Sequence, residues 1–262
     1  MESNQLHWTD THCHLYVPEF DPDKNEMLLR ALEAGVVRMM MPNIDLDTVQ
    51  RLKSMAGEFP GQCFPMMGLH PCSVKSDYST VLGEIEKLLF TGDFIGVGET
   101  GIDLYWDTTF RQQQIEAFEL QIDWAKQLHL PVIIHSRESL ELNIEIVSRK
   151  QDGNLRGIFH CFGGTVDQAS QIHELGFKIG IGGVVTYKNS MLPGVLPEIP
   201  PSMIVLETDA PYLAPVPFRG KRNESAYIPL ISTKVADILQ ISLSELSYLT
   251  NENAAEVFGK KG

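Results

Sequence analysis

Five of the eight histidines, His12, His14, His70, His135 and His160, stand at the carboxyl end of a short apolar run; His7, His129 and His173 do not. Two carboxylates share that placement: Glu99 closes FIGVGE, and Asp209 follows MIVLE. Neutral imidazoles and carboxylates are the usual ligands of Zn, Mn and related divalent ions. His12 and His14 are two apart, so in an extended chain both point to the same side. The set His12, His14, Glu99, His135, His160 and Asp209 is too large for one open tetrahedral site. It is about right for two metals sharing a carboxylate, with Glu99, from the middle of the chain, as the bridge. Two such metals hold a hydroxide and activate it near neutral pH, which is the chemistry of hydrolysis.

Each residue alone has an ordinary explanation. A single histidine at a strand end is often a satisfied core residue, HxH is a weak motif, and an Asp after a buried strand is commonly a helix N-cap. Their placement at the ends of several strands is what argues for a site. Glu207, two residues before Asp209, shares its strand face and is either a partner for a ligand histidine or a buried, hydrogen-bonded carboxylate. Cys13 and Cys161 flank ligands and are expected to point away and pack. Arg219, Lys221 and Arg222 follow the last strand, where barrels often bind phosphate. A solvated charged loop is the plainer explanation of that cluster.

Positioning these residues requires strands. Eight are expected, at Leu6–Thr11, Val36–Met41, Cys63–Gly68, Phe94–Glu99, Pro131–His135, Gly157–Cys161, Phe177–Gly182 and Met203–Glu207. VVRMMM, VIIH and MIVLE are nearly continuous apolar runs, as in parallel strands buried on both faces. Helical stretches fill the gaps. Across Gln112–His129, Ile115, Phe118, Ile122, Ala125 and Leu128 share one face; Glu26–Ala34 ends at Gly35, a C′ glycine; Ser242 and Glu245 read as a capping box. Alternating strands and helices give an open doubly wound sheet or a closed barrel. Ligands on so many strand ends favour the α/β (β/α)8 TIM barrel, which gathers its chemistry on that rim.

The 262 residues match the roughly 250 of one TIM barrel, so residues 1–262 are expected to form a single domain. A net charge of -13 excludes a general nucleic-acid coat protein but leaves room for a small basic site. Four cysteines without a CxxC pair point to a reducing compartment. The amino-terminal MESNQLHWTD lacks the pattern of a secretory leader, no apolar stretch approaches a membrane span, and a cytoplasmic location is expected. No linker, repeat or low-complexity segment interrupts the chain, and no obligate protein partner is evident.

The motifs DTHCHL (Asp10–Leu15), GLHP (Gly68–Pro71), GVGETGIDLYWD (Gly96–Asp107), Arg111–Gln112, PVIIHSR (Pro131–Arg137), HCFGGT (His160–Thr165), ETDAPYLAP (Glu207–Pro215) and RGKRNE (Arg219–Glu224) run through nearly the whole chain. In order and spacing they resemble the TatD-type metal-dependent deoxyribonucleases of the amidohydrolase superfamily. The resemblance implies a TIM barrel with one metal on His12, His14, Glu99 and Asp209 and a second on Glu99, His135 and His160. It also implies that Asp209 assists the attacking water and that His70 helps hold the scissile phosphate. Family members are 3′–5′ exonucleases, usually on DNA, supported by Mg or Mn; Zn is also compatible with this donor set. The expected activity is phosphodiester cleavage by a metal-bridged hydroxide, on single-stranded DNA or 3′ ends, with Arg219 or Arg222 neutralising a neighbouring phosphate. Two departures, Leu104 in place of an aromatic and Gly163 in place of Ser, bear on substrate preference and touch no proposed ligand. The rival within the superfamily is a hydrolase of a small amide, lactone or phosphotriester; the rival outside it is a protein with structural metal, against which an open rim argues.

Overall fold

The computed structural model describes residues 6–259; the first five residues, on which the expected lack of a leader partly rests, lie outside the described residues. Eight strands alternate with helices: β1 (Trp8–Asp10), β2 (Val36–Pro42), β3 (Cys63–Met66), β4 (Val97–Asp103), β5 (Val132–Arg137), β6 (Gly157–Phe159), β7 (Lys178–Ile181) and β8 (Ile204–Leu206). All neighbours pair in parallel, in the orders β1-β2-β3 and β4-β5-β6-β7-β8. Backbone bonds join the two sheets on both sides. Met67 bridges Val97, with Met67 N–H donating to Gly96 O at 3.1 Å and Gly98 N–H to Met67 O at 3.0 Å. Cys13 bridges Ala210, with Thr11 N–H donating to Leu206 O at 3.0 Å and Asp209 N–H to His12 O at 2.8 Å. The result is the expected TIM barrel.

The helices are α1 (Lys24–Glu33), α2 (Val49–Glu58), α3 (Tyr78–Leu89), α4 (Arg111–Leu128), α5 (Leu140–Lys150), α6 (Val166–Glu174), the single turn α7 (Leu192–Val195), α8 (Ile228–Leu239) and α9 (Leu243–Phe258). Gly35 does end the first helix, at φ +84°, where a Cβ would meet Leu6 O at 2.3 Å. Ser242 caps α9 by accepting from Glu245 N–H. The reciprocal capping box forms instead at Thr165 and Gln168, at the start of α6.

Two apolar regions make the core. The larger lies between strands and helices. The smaller gathers Met40, Met66, Ile133, Ile158 and Val205 with Ala254 and Val257 of α9. Its strand members set the direction of the site, because side chains two apart share a face. Ile133 leads to His135, Ile158 to His160, and Val205 to Glu207. Polar residues of the site, two histidines and a carboxylate, thus continue the faces whose preceding layer is apolar.

The strands are mostly shorter than expected, and β4 is displaced. It starts at Val97 and runs to Asp103, so Glu99 lies inside it and not at its end; His135 likewise lies inside β5, which runs on to Arg137. The charges of Glu99 and Asp103 do not end the strand, because both side chains are buried and paired and the strand continues through them.

Candidate metal centre

Glu99 is 2% exposed and no lysine or arginine pairs with it among the described residues. Its two oxygens face different histidines. Oε2 lies 3.2 Å from His12 Nε2 and 3.3 Å from His14 Nε2. Oε1 lies 2.8 Å from His135 Nδ1, 3.0 Å from His160 Nε2 and 3.3 Å from His70 Nε2. Asp209 Oδ1 stands 3.7 Å from both His12 Nε2 and His14 Nε2. All six expected ligands, and His70, are therefore brought together. By proximity the potential ligand atoms form three groups: His12 with His14 and Asp209, His12 with Glu99 and His160, and His70 with Glu99 and His135. The last two cut across the implied division of ligands.

The outer partners of the rings show which nitrogen offers a lone pair. Tyr16 OH donates to Pro42 O at 2.6 Å, so it accepts from His14 Nδ1–H at 3.1 Å. His14 Nε2 is then unprotonated in the neutral ring and free to ligate. Asp103 Oδ2 lies 2.9 Å from His135 Nε2, which leaves Nδ1 for the centre. Glu207 Oε1 lies 3.4 Å from His160 Nδ1 and accepts from Cys161 N–H at 2.6 Å. A carboxylate or oxygen behind a ligand histidine is how proteins fix the ring and raise its basicity. His12 Nδ1 is buried with no partner, and His160 Nδ1, also buried, faces Glu207 at 3.4 Å without making a hydrogen bond. His70 is the opposite case: its Nδ1 accepts from Cys72 N–H at 3.1 Å. With that lone pair occupied, neutral His70 carries its proton on Nε2 and is a donor toward the centre, not a ligand.

Electrostatics agree with a cation-binding cluster. Burial pushes the Glu99 carboxyl up, but His70, His160 and His12 outweigh it and hold it well below the usual range. Burial and the neighbouring His160 hold His12 well below the ordinary imidazole value. Burial opposes charge on His135 as well, yet Asp103 and Glu99 raise it. Asp209 is pushed up to about 6 by burial, against the pull of His160 and His14. The donor set fits divalent metal: imidazole nitrogens crowd a buried carboxylate, and His12 Nε2 and His14 Nε2 are only 3.2 Å apart. A positive charge between such groups removes the conflict.

Asp209 sits at φ +58°, a left-handed conformation that Asp and Asn tolerate. The strand ends are braced beneath it by Asp10, which accepts from His12 N–H (3.3 Å), Thr208 N–H (3.0 Å), Thr208 Oγ1 (2.6 Å) and Ser225 Oγ (2.7 Å). Asp10, Asp103 and Tyr16 were not singled out from sequence. Asp10 stands in the same DTHCH motif as two ligands, and Asp103 is four residues past Glu99; neither pattern by itself distinguishes a brace from a surface acid.

The basic cluster divides. Arg222 is committed elsewhere: Nη1 and Nη2 donate to Asp23 at 2.6 and 2.8 Å, Nη1 also donates to Glu19 O, and the guanidinium stacks on Phe20. Its expected substrate role is not supported, because its fork is filled by a carboxylate. Lys221 is exposed. Arg219 stacks on the Tyr187 ring at 4.6 Å and has no carboxylate partner among the described residues. Cys13 Sγ turns to Met40 O. Beside His160 opens a groove of about 540 Å³ lined by Leu104, Arg111, Glu138, Gly163 and Gln168 among others, so both departures from the expected motifs line the same cleft.

Barrel, strand-end histidines and shared carboxylate define a metal-dependent hydrolase. Residues 9–259 match the family described as TatD related DNase, and the chain belongs to that family. It is 34% identical over 250 residues to the uncharacterized metal-dependent hydrolase YabD of Bacillus subtilis (strain 168), covering 95% of this chain and 98% of that one. It is also 34% identical over 255 residues to the 3′-5′ ssDNA/RNA exonuclease TatD of Yersinia pseudotuberculosis, with the same coverage of 95% and 98%. The crystal structure of the TatD homologue YjjV from Escherichia coli superposes with a TM-score of 0.90 at 28% identity, covering 96% of this chain and 97% of that one. Among the described residues no helix is long and apolar enough to cross a membrane.

Proposed function

We propose that this hydrolase cleaves phosphodiesters as a 3′–5′ exonuclease on single-stranded DNA, in a reducing compartment such as the cytoplasm. The observation that carries the reading is Glu99, whose two oxygens face separate histidine groups at 3.2 and 3.3 Å on one side and 2.8 and 3.0 Å on the other. His12, His14, Glu99 and Asp209 would hold one divalent ion, and Glu99, His135 and His160 a second, of Mg, Mn or Zn. Such ions supply Lewis acidity and bring a water within reach of ionisation near neutral pH.

The side chains supply the rest. Asp209, raised toward 6, is suited to take the proton from the attacking water. His70 offers an Nε2–H to a phosphate oxygen, since its other nitrogen is already satisfied by Cys72. Arg219, like the exposed Lys221, pairs with no carboxylate among the described residues and is placed to meet a neighbouring phosphate. Tyr16, Asp103 and Glu207 orient the ligand rings. The similarity to an exonuclease at 34% identity supports the phosphodiester reading. A small neutral amide, lactone or phosphotriester, the rival substrate, carries no neighbouring phosphate for Arg219 to meet. The test is turnover of 3′-labelled single-stranded DNA by metal-supplemented protein, beside a panel of amides, lactones and phosphotriesters. Turnover confined to the small neutral substrates would refute the proposal.

A further inference from the structure

The loop after β4 exposes an aromatic pair beside the metal centre. Trp106 is 72% exposed and Tyr105 is 54% exposed, far beyond what a core or loop-packing role requires. The rings stand edge to face, with centroids 5.0 Å apart at 87°. They are not loosely held. Asp103 Oδ1 accepts from the backbone N–H of both Tyr105 (3.0 Å) and Trp106 (3.1 Å), while its other oxygen, Oδ2, contacts His135 Nε2 at 2.9 Å. One carboxylate therefore fixes the aromatic loop and a ligand histidine together.

The opposite strand adds a cation. Asp103 is registered against Arg137 in the β4–β5 pair, and the Arg137 guanidinium lies 4.5 Å from the Tyr105 ring centroid. Arg137 makes no ion pair among the described residues, unlike Arg222, which is locked on Asp23. It is two residues beyond His135 on the same strand, about 7 Å along it. On a chain of net charge -13, an unpaired arginine stacked on an exposed tyrosine at the active rim is a local site for an anion.

We propose that Tyr105, Trp106 and Arg137 form a nucleotide subsite of this centre. Trp106 stacks an unpaired base of single-stranded nucleic acid, and Arg137 pairs with the phosphate next to it. Within a duplex the faces of each base are covered by its stacked neighbours, so only a base freed from a duplex stack can enter the subsite. The inference rests on the nuclease reading above and names the substrate feature which that centre selects. Aromatic platforms beside a cation are the general means of holding single strands without reading their sequence.

The experiment compares kcat/KM of metal-supplemented protein on labelled oligothymidylates that differ by one abasic residue, placed in turn at each position near the 3′ end. Wild type is expected to lose about tenfold or more at one position, the usual scale for one stacked base. Trp106→Ala should bring the ratio at that position toward unity, Trp106→Phe should retain most of it, and Tyr248→Ala, an exposed aromatic on α9, should leave it intact. Arg137→Gln should weaken the salt dependence of KM. A flat wild-type profile, or one unchanged in Trp106→Ala, overturns the subsite and leaves the nuclease reading standing. No cleavage of any oligonucleotide overturns both.

Discussion

The backbone N–H of Cys72 donates to His70 Nδ1 at 3.1 Å, and this bond sets His70 apart from the ligand histidines. His14 and His135 have oxygens behind the ring, which accept a hydrogen bond from one ring N–H and leave the other nitrogen bare. His70 has a donor behind it and so must present a proton. Proximity places it with Glu99 and His135; its hydrogen bonding gives it a different task.

His70→Ala is therefore expected to keep its metal and lose turnover by about 10²-fold or more, the scale of a lost proton donor or acceptor. Elemental analysis after reconstitution, run beside kinetics, decides it. A metal-depleted variant would make His70 a ligand.

Asp209→Asn should preserve the fold, because Asn also tolerates the left-handed backbone at this position. The amide oxygen still reaches a metal, but the group no longer accepts a proton. The expectation is near-normal metal content and melting temperature with kcat down by about 10²-fold. Activity within a few-fold of wild type in metal-replete protein would remove Asp209 as the base.

Gly180 offers a test of the support behind His160. A Cβ there would lie 1.9 Å from Glu207 Oε2, so Gly180→Ala must displace the carboxylate that backs His160. Metal affinity is expected to fall by about 10- to 100-fold although no ligand is touched. Competition with a graded chelator series reads this directly; unchanged affinity would show that Glu207 is only a buried acid.

Asp23 gives a pH dependence whose sign can be worked out. Hydrogen bonds from Arg222 act against the effect of burial, and with those from Arg30 they hold its carboxyl below the ordinary 3.8. A carboxyl depressed in the folded state stabilises above its unfolded value, and that stability is lost as pH falls through the folded value. Asp23→Asn should thus melt a few degrees below wild type at pH 7, corresponding to ~1 kcal/mol for a partly exposed pair. The gap should narrow as pH drops below about 4, reported by melting curves across that range. A gap constant with pH would mean the ion pair contributes nothing.

Much of this protein was determined locally. Period-two spacing put His12 and His14 on one side, apolar runs marked the parallel strands, and the recurrence of ligands at strand ends favoured a closed barrel over an open sheet. These features were legible because alternation and strand ends are properties of a few consecutive residues. The tertiary structure decided what depends on partners distant in sequence. That Glu99 lies within β4 follows from Asp103 being buried against His135, 32 residues on. That Arg222 is structural while Arg219 stays free follows from where Asp23 lies, 199 residues before Arg222. The lone pair that His14, His135 or His70 presents is set by a Tyr hydroxyl, a carboxylate or a backbone N–H behind the ring. The histidine's own residue type carries no record of that choice, since a neutral imidazole is equally a donor and an acceptor until a neighbour takes one side.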